Sequence, residues 1–153
     1  MGKESFDPSK IPTNSEETII EKNIEVQGRK FKVSSLLLGV PHTIVLVKDD
    51  NFNVRDGALI EKYELFPEGT NVNFCRVINK EEIKVDTWER GAGATLACGT
   101  GCCSSVVLCN RLGLVGQSVK VIAPGGVLEV DITEDGVMMT GPAVNVFEGL
   151  ISV

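Results

Sequence analysis

The chain has 153 residues, enough for one domain with its own hydrophobic core, and carries 21 acidic against 15 basic side chains. The resulting net charge of -6 argues against nucleic acid and anionic membranes as partners. No run approaches the ~18 consecutive apolar residues of a membrane span, and the polar start Met1-Gly2-Lys3-Glu4-Ser5 lacks an apolar signal segment. With an odd number of cysteines, five, the chain is expected to keep free thiols in the cytoplasm.

Alternating and helical hydrophobic patterns, punctuated by glycine and proline, predict an α+β domain. The predicted elements, in chain order, are a polar lead-in or linker (1–18), a hairpin (23–26 with 30–33), two buried strands separated by Pro41 (34–40 and 43–47), a short helix (55–64), a second hairpin (73–78 with 83–88), a main helix (101–112) ended by Gly113, a three-stranded meander (119–123, 127–132 and 137–140) and an apolar terminal strand (147–153). The folded domain is predicted to span residues 19–146.

The most informative stretch runs from Trp88 to Gly101, WERGAGATLACGTG, directly before the main helix. A cysteine at a helix start lies at the positive end of the helix dipole, which favours its thiolate form. Glycines allow backbone N–H groups to crowd around a small anion at the same place. The pattern therefore predicts a thiolate base, Cys98, beside a carboxylate-binding nest.

Several of these residues also have ordinary structural interpretations. An unpaired cysteine is most often buried packing, which we prefer for Cys75, Cys102, Cys103 and Cys109, whereas the glycines around Cys98 favour exposure and chemistry. Thr100 could cap the helix with its hydroxyl group and could also contact a substrate. His42, the single histidine, is far from the cysteine cluster, so a metal site is not expected, and we interpret His42 as an oriented imidazole beside Pro41 that satisfies backbone groups.

The stretch from Trp88 to Gly101 resembles the second catalytic motif of the diaminopimelate epimerases, racemases that use no pyridoxal phosphate. The resemblance extends over nearly the whole chain, but only to the C-terminal half of the family. The first-half motif Cys-Gly-Asn-Gly is absent, since the only Cys-Gly dipeptide is Cys98-Gly99. The other segments that carry the resemblance are MGK (1–3), FDP (6–8), IP (11–12), GVPH (39–42), FPEGTNV (66–72), PGG (124–126), GPA (141–143) and FEG (147–149).

The resemblance implies a mostly antiparallel, barrel-like sheet wrapped around a central helix. It implies an isomerase of lysine and peptidoglycan-precursor biosynthesis that interconverts LL- and meso-diaminopimelate by two-cysteine proton transfer, without cofactor or metal. One thiol would be Cys98 and the other would come from a missing N-terminal half, so the isolated chain is expected to be inactive. The implied substrate contacts are Gly99 and Thr100 on the α-carboxylate, Glu89 near the α-ammonium, Arg90 on the distal carboxylate and Asn71 at the distal end.

Two departures from the family pattern bear on the substrate. Val40 stands where the family usually has asparagine, and Ala94 stands where a glutamate is usual. Valine cannot hydrogen-bond a substrate, so a related amino acid with another distal group is an alternative substrate. A non-catalytic domain that binds small anions is a rival from another class. Residues 147–153 are expected to pair with the missing half or to mediate self-association.

Overall fold

Nine strands form one open sheet in the computed structural model, which describes residues 1–152. The elements are β1 (Lys22–Val26), β2 (Arg29–Leu38), β3 (Val40–Leu46), a 3₁₀ turn (Val54–Asp56), α1 (Gly57–Glu61), β4 (Asn71–Asn79), β5 (Glu82–Glu89), β6 (Gly93–Thr95), α2 (Gly99–Arg111), β7 (Ser118–Ala123), β8 (Gly126–Thr133) and β9 (Gly136–Thr140). Neighbours follow the order β1-β2-β3-β4-β5-β7-β8-β9, and β6 also pairs with β5. Only the β3–β4 and β5–β7 pairs are parallel. The predicted α+β class is confirmed, with the barrel-like sheet left open between β1 and β9.

Both predicted hairpins and the predicted meander are confirmed by the strand pairing. The turn of the first hairpin shows why its strands pair in this way. Between β1 and β2, Gln27 and Gly28 have φ values of 50° and 76°, in a two-residue turn that joins Val26 to its partner Arg29. Two positive φ angles give a turn whose twist matches that of the strands it joins. The strand β6, which was not predicted, pairs with the end of β5.

The break between β2 and β3 lies at Gly39 rather than at Pro41. Gly39 has a φ of 73°, and Leu38 and Val40 on its two sides are already paired. Pro41 lies inside β3 opposite Leu37, one residue before the parallel pairing with β4 begins at His42. Proline is tolerated there because it stands near the start of the strand. The prediction that Pro41 separates the two strands is therefore wrong.

The first helix is shorter than the predicted span 55–64. A 3₁₀ turn begins after Asn53, whose Oδ1 accepts a hydrogen bond of 3.0 Å from the Arg55 amide. Only Gly57–Glu61 is α-helical. The Tyr63 amide then donates to the Ile60 carbonyl at 3.1 Å, an i→i−3 bond that closes a turn and ends the helix.

The main helix, α2, is the centre of the domain. All of its residues from Gly101 to Cys109 are buried, and it contacts β2, β3, β4, β5, β7, β8 and β9. A helix with no exposed face belongs in a core, and its glycine, cysteine, serine and valine side chains let the surrounding strands approach. Gly113, with a φ of 70°, ends it as predicted: the Gly113 amide donates to the Asn110 carbonyl and the Leu114 amide to the Cys109 carbonyl, each at 2.8 Å.

The two ends of the described chain differ in their contacts with the domain. In the segment 1–18, the Met1 amino group donates to the Val137 carbonyl at 2.9 Å, Ser5 bridges to Leu37, and Ile11 is buried. Residues 141–152 contain no strand or helix. The predicted terminal strand 147–153 thus has no pairing partner within the described residues, and Val153 lies outside them. In residues 1–152, no helix is both long and apolar enough to cross a membrane.

Candidate functional site

The sequence-predicted site residues gather where the start of α2 meets one end of the sheet. Because β4 and β5 are antiparallel, with Val72 opposite Trp88, the start of β4 lies beside the end of β5. Asn71 is the first residue of β4 and Glu89 the last of β5. Alternation along β5 puts Glu89 on the same face as Val85, which packs in the core cluster that contains α2.

Cys98 is the residue that caps the start of α2. Its backbone is extended, with φ −125° and ψ 107°, and its carbonyl accepts the first helical bond from the Cys102 amide at 2.9 Å. The amides of Gly99, Thr100 and Gly101 precede that bond and therefore have no acceptor inside the helix. Cys98 is buried, with 8% of the residue exposed, so the exposure expected from its flanking glycines is wrong. It lies beside these three amides in sequence. The thiol and the three N–H groups without helical acceptors thus belong to the same helix end.

Thr100 does not cap the helix. It lies inside the first turn of α2, two residues past the cap, and its Oγ1 lies 3.5 Å from the Cys98 Sγ. The expectation that its hydroxyl group caps the helix is wrong, because the helix begins two residues earlier than predicted. Gly99 is enclosed by thioethers: a Cβ built on it would lie 3.1 Å from the Met139 Sδ and 3.5 Å from the Met1 Cε.

Arg90 and Asn71 are linked directly. The Arg90 amide donates to the Asn71 Oδ1 at 3.0 Å, and the Asn71 Nδ2 donates to the Pro41 carbonyl at 3.0 Å. The Arg90 Nη1 donates to the Glu68 carbonyl at 2.9 Å. Asn71 therefore ties β3 to the turn after β5, and one of its two Nδ2 hydrogens remains for another acceptor.

Three further polar residues at this end, Asn73, Thr87 and His42, were not predicted as a group. The Asn73 Nδ2 lies 3.1 Å from the His42 Nδ1, and the Thr87 Oγ1 donates to the Asn73 Oδ1 at 3.0 Å. Asn73 and His42 are fully buried. His42 thus bonds a side-chain amide instead of the backbone groups expected for it. The usable signal was the pair Asn71 and Asn73, two polar residues on the helix-facing side of an apolar strand.

The four other cysteines are buried thiols. Burial raises the pKa of Cys102 to about 12 and that of Cys103 to about 11, and a hydrogen bond with Cys109, together with burial, raises the pKa of Cys75. The Cys75 and Cys109 sulfurs lie 3.7 Å apart. All four side chains have no solvent exposure. Cys75, Cys102 and Cys103 are therefore neutral near pH 7, and the burial of all four cysteines agrees with their interpretation as packing residues.

Cys98 is therefore expected to react first with iodoacetamide. It is the one partly accessible cysteine, and the thiolate is the nucleophile, which burial suppresses at Cys75, Cys102 and Cys103. Peptide mass spectrometry after timed labelling between pH 6 and 9 measures the rate at each site. A Cys98 rate no faster than that of Cys75 would contradict the expectation.

Gly101→Ala is expected to lower the free energy of unfolding by about 1–3 kcal/mol. A Cβ on Gly101 would collide with the Asn73 Oδ1, and that amide is held by its bonds to His42 and Thr87. Gly116→Ala is the matched control, because its Cβ would meet the Lys80 carbonyl oxygen at an ordinary 3.6 Å. Urea unfolding compares the two variants. Equal unfolding free energies for Gly101→Ala and Gly116→Ala would mean that the start of α2 can accommodate a Cβ next to Asn73.

Across residues 1–152, no three His, Cys, Asp or Glu side chains lie together in a way that could hold a metal ion. The polar groups that the first turn of α2 itself supplies are backbone amides, the Thr100 hydroxyl group and the Cys98 thiol.

Known proteins resemble this chain in both sequence and fold. The family model described as diaminopimelate epimerase matches residues 34–146. The diaminopimelate epimerase of Clostridium perfringens is 54% identical over 149 residues, which cover 97% of this chain and 54% of that protein. That of Alkaliphilus metalliredigens is 46% identical, over 98% of this chain and 54% of that protein. The chain therefore spans about half the length of these curated relatives.

Two solved structures share the fold at low sequence identity. A probable proline racemase from Agrobacterium radiobacter K84, with bound carbonate, is 18% identical with a TM-score of 0.55, and the match covers 84% of this chain and 51% of that one. A PhzF-family phenazine biosynthesis protein from Bacillus anthracis is also 18% identical, with a TM-score of 0.51, over 77% of this chain and 40% of that one. At this identity the similarity concerns the fold alone.

Proposed function

Because the chain belongs to the diaminopimelate epimerase family, we propose that it supplies one half of the active site of an epimerase that interconverts LL- and meso-diaminopimelate. The observation that carries this proposal is the position of Cys98 at the start of α2, beside three amides without helical acceptors. The presence of Glu89, Arg90 and Asn71 at the same end of the sheet supports an amino acid as the substrate.

Epimerisation requires a proton to leave the α-carbon on one face and another to arrive on the opposite face. In the proposed mechanism, one thiolate removes the α-proton and becomes a thiol, while a second thiol protonates the carbanion and becomes a thiolate. A single base would tend to return the proton to the face it left. Cys98 is one of the two groups, and the other belongs to the half of the family that this chain does not span.

The carbanion intermediate is high in free energy, since the α-C–H group of an amino acid is a weak acid. Fixed donors directed at the substrate carboxylate stabilise the charge that develops there without reorganising. We assign this role to the amides of Gly99 and Thr100. The buried helix behind them, with its positive dipole end at Cys98, favours the same negative charge.

The remaining substrate contacts follow from charge and position. Glu89 carries a carboxylate on the helix-facing side of β5 and suits the α-ammonium group of the substrate. Arg90 is anchored through its Nη1 on the Glu68 carbonyl, which leaves the rest of its guanidinium fork for a distal carboxylate. Asn71 holds the Arg90 amide and can offer its remaining N–H to the distal end of the substrate. We place the reaction in the cytoplasm, where the five free thiols stay reduced.

The test is to supply the N-terminal half of the family, which this chain does not span. The N-terminal half of the Clostridium perfringens relative would be fused ahead of Met1, and the fusion compared with the isolated chain. Chiral chromatography measures conversion of LL- to meso-diaminopimelate, and mass spectrometry measures deuterium uptake at the α-carbon in D₂O. We expect the fusion to invert the substrate and the isolated chain to leave it unchanged.

Two results would count against the proposal. Full activity of the isolated chain that survives Cys98→Ala would remove the two-thiol mechanism. A fusion that binds diaminopimelate in calorimetry but neither inverts it nor exchanges its α-proton would favour the rival, a non-catalytic domain for small anions. Val40 is exposed at the same end of the sheet, so the assay also includes amino acids with other distal groups.

The C-terminal segment is the surface we propose for association with the half of the family that this chain does not span, or with a second copy. Its apolar side chains Phe147, Leu150 and Ile151 are 83%, 106% and 88% exposed. Exposed apolar side chains on an unpaired stretch of backbone form a template for strand addition. The proposed partner is therefore a sheet edge of another polypeptide.

Deletion of residues 147–153 is expected to shift the isolated chain toward monomer. The deletion removes the exposed apolar side chains and leaves the strands of the sheet unchanged. Sedimentation velocity over a range of concentrations compares the intact and shortened chains. A stable monomer at high concentration for the intact chain, with this segment protected from proteolysis, would refute the association role.

A further inference from the structure

Trp88 lies on the face of β5 that points away from α2, and the short helix α1 contacts it at both of its ends. The Trp88 Nε1–H donates to the Glu61 Oε2 at 2.7 Å. At the other end of α1, a Cβ on Gly57 would collide with the Trp88 Cβ, so a glycine is needed for the helix to lie this close. An indole N–H can only donate, and a bond to a carboxylate is stronger than one to a neutral acceptor. The Trp88–Glu61 bond therefore fixes the end of β5 against α1.

Arg90, two residues after Trp88, lies against the stretch of chain that follows α1. Its Nη1 donates to the Glu68 carbonyl at 2.9 Å, and a Cβ on Gly69 would lie 3.1 Å from the Arg90 Cδ. The same Cβ would lie 3.4 Å from the Glu61 carbonyl oxygen, so the Arg90 stem and the last residue of α1 both lie next to Gly69. Residues 57–69 thus contact both Trp88 and Arg90.

Arg90 depends on these contacts more than its neighbour Glu89 does. Glu89 is the last residue of β5 and lies in the ladder opposite Gly93, whereas Arg90 comes after the strand. Its attachments among residues 1–152 are the bond from its amide to Asn71 and the contacts of its side chain with residues 68–69. The direction of its guanidinium group therefore follows the distance between the end of β5 and residues 57–69. The Trp88–Glu61 bond sets that distance before the chain reaches Arg90.

We propose that Glu61 is a positioning residue: by accepting the Trp88 N–H, it holds the end of β5 where the Arg90 guanidinium group can bind the Glu68 carbonyl and a ligand carboxylate together. The identity of that ligand rests on the proposed function, which assigns the distal carboxylate of the amino-acid substrate to Arg90. The distal carboxylate is remote from the α-carbon, so its contact with Arg90 is the same before and during proton transfer. Weakening this contact therefore raises KM and leaves kcat nearly unchanged.

Trypsin digestion measures the fixation of Arg90 in the isolated chain, without substrate. In Glu61→Leu we expect cleavage after Arg90 to be about fivefold faster or more, because the turn can leave its native contacts by local opening. Cleavage after Arg111 should be unchanged, since Arg111 ends the buried helix α2 and its cleavage requires the core to open. Glu61→Gln should be cleaved as the unaltered chain is, because its amide oxygen can accept the same bond. Mass spectrometry of early fragments measures both rates.

Steady-state kinetics of the fused enzyme measure the consequence for the substrate. Glu61→Leu should raise KM for LL-diaminopimelate about tenfold, the effect of one hydrogen bond, and Glu61→Gln should restore it. The change in kcat should stay below about twofold. Glu64→Leu is the matched control, because it replaces an exposed glutamate of the same segment. Its KM and its tryptic pattern should equal those of the unaltered protein.

Trp88→Phe removes the same bond from its other side, since it keeps an aromatic ring but has no N–H. It should raise KM and the cleavage after Arg90 as Glu61→Leu does, and the double variant should add little to either single change. Circular dichroism verifies the folding of each variant, and Trp88→Phe decides the matter if Glu61→Leu does not fold.

Three results would overturn the proposal: a folded Glu61→Leu or Trp88→Phe chain whose cleavage after Arg90 is unchanged relative to Arg111, an active fused variant of either kind whose KM is unchanged, or an equal rise in KM for Glu64→Leu. The tryptic rates are measured without substrate, so they stand whether or not the fusion epimerises diaminopimelate. An inactive fusion together with faster cleavage after Arg90 would instead refute the proposed function alone.

Discussion

Cys98→Ala in the fused enzyme is expected to reduce the inversion of diaminopimelate by at least ~10²–10⁴-fold, the usual contribution of a positioned acid or base. Removal of the thiol leaves the amides of Gly99 and Thr100 in place, so substrate binding should change much less than kcat. Cys98→Ser should also be severely impaired, because a hydroxyl group is a far weaker acid than a thiol. Steady-state kinetics with chiral product analysis measure both effects.

Deuterium uptake at the α-carbon in D₂O shows whether Cys98→Ala removes one acid or base or inactivates the whole site. With Cys98 replaced, the second thiol can still exchange the α-proton on its own face, so one stereoisomer should take up deuterium without inverting. Cys102→Ala is the control, since it removes a buried thiol one helical turn further along. Retained inversion in Cys98→Ala, or an equal loss in Cys102→Ala, would remove Cys98 from the mechanism.

Much of the fold was predictable because short-range patterns determine it. The alternation in β1, β2, β7 and β8 and the left-handed residues at Gly28 and Gly113 are local signals, and the turn at Gly28 and the helix end at Gly113 are found where they were predicted. The start of α2 was misplaced by two residues because the run 99–101 has little apolar pattern. In the structure this run lies close to Asn73 and Met139, which are distant in sequence.

The candidate site also contains residues that short-range patterns could predict and residues that they could not. The cluster of Cys98, Glu89 and Arg90 was readable because its residues are adjacent in sequence. The network of His42, Asn73 and Thr87 was not, because its members are distant in sequence and meet only through the pairing of β3, β4 and β5. A side-chain hydrogen bond between strands depends on their register, which composition and periodicity do not specify.

Acidification from pH 6.5 to 4 is expected to cost the isolated chain about 3 kcal/mol of unfolding free energy through His42 alone. Burial lowers the pKa of the folded imidazole from 6.5 to about 4. Within this window the unfolded chain binds a proton that the folded chain does not, which favours unfolding. The stability is therefore complete above pH 6.5 and declines steadily toward pH 4. Urea unfolding at half-unit pH intervals measures the decline.

His42→Gln is the variant that isolates this effect, because glutamine keeps a polar side chain but does not titrate. Its unfolding free energy should decline less steeply over the same window, whatever its absolute stability. Carboxyl groups such as Asp86, whose pKa burial raises, titrate in both proteins and so cancel in the comparison. Parallel profiles for the two proteins would mean that the imidazole is protonated at little cost in the folded state.

The position of α2 within the chain has a consequence for how a ligand could enter. The helix lies in the connection between β5 and β7, which are parallel neighbours with Ile83 opposite Val121. Parallel strands cannot be joined by a tight turn, so this helix is the covalent bridge between them. The start of α2 could swing outward only by pulling on that ladder, so opening here would cost a part of the sheet itself. We therefore expect α2 to behave as a fixed wall, with any gate formed by parts outside this sheet.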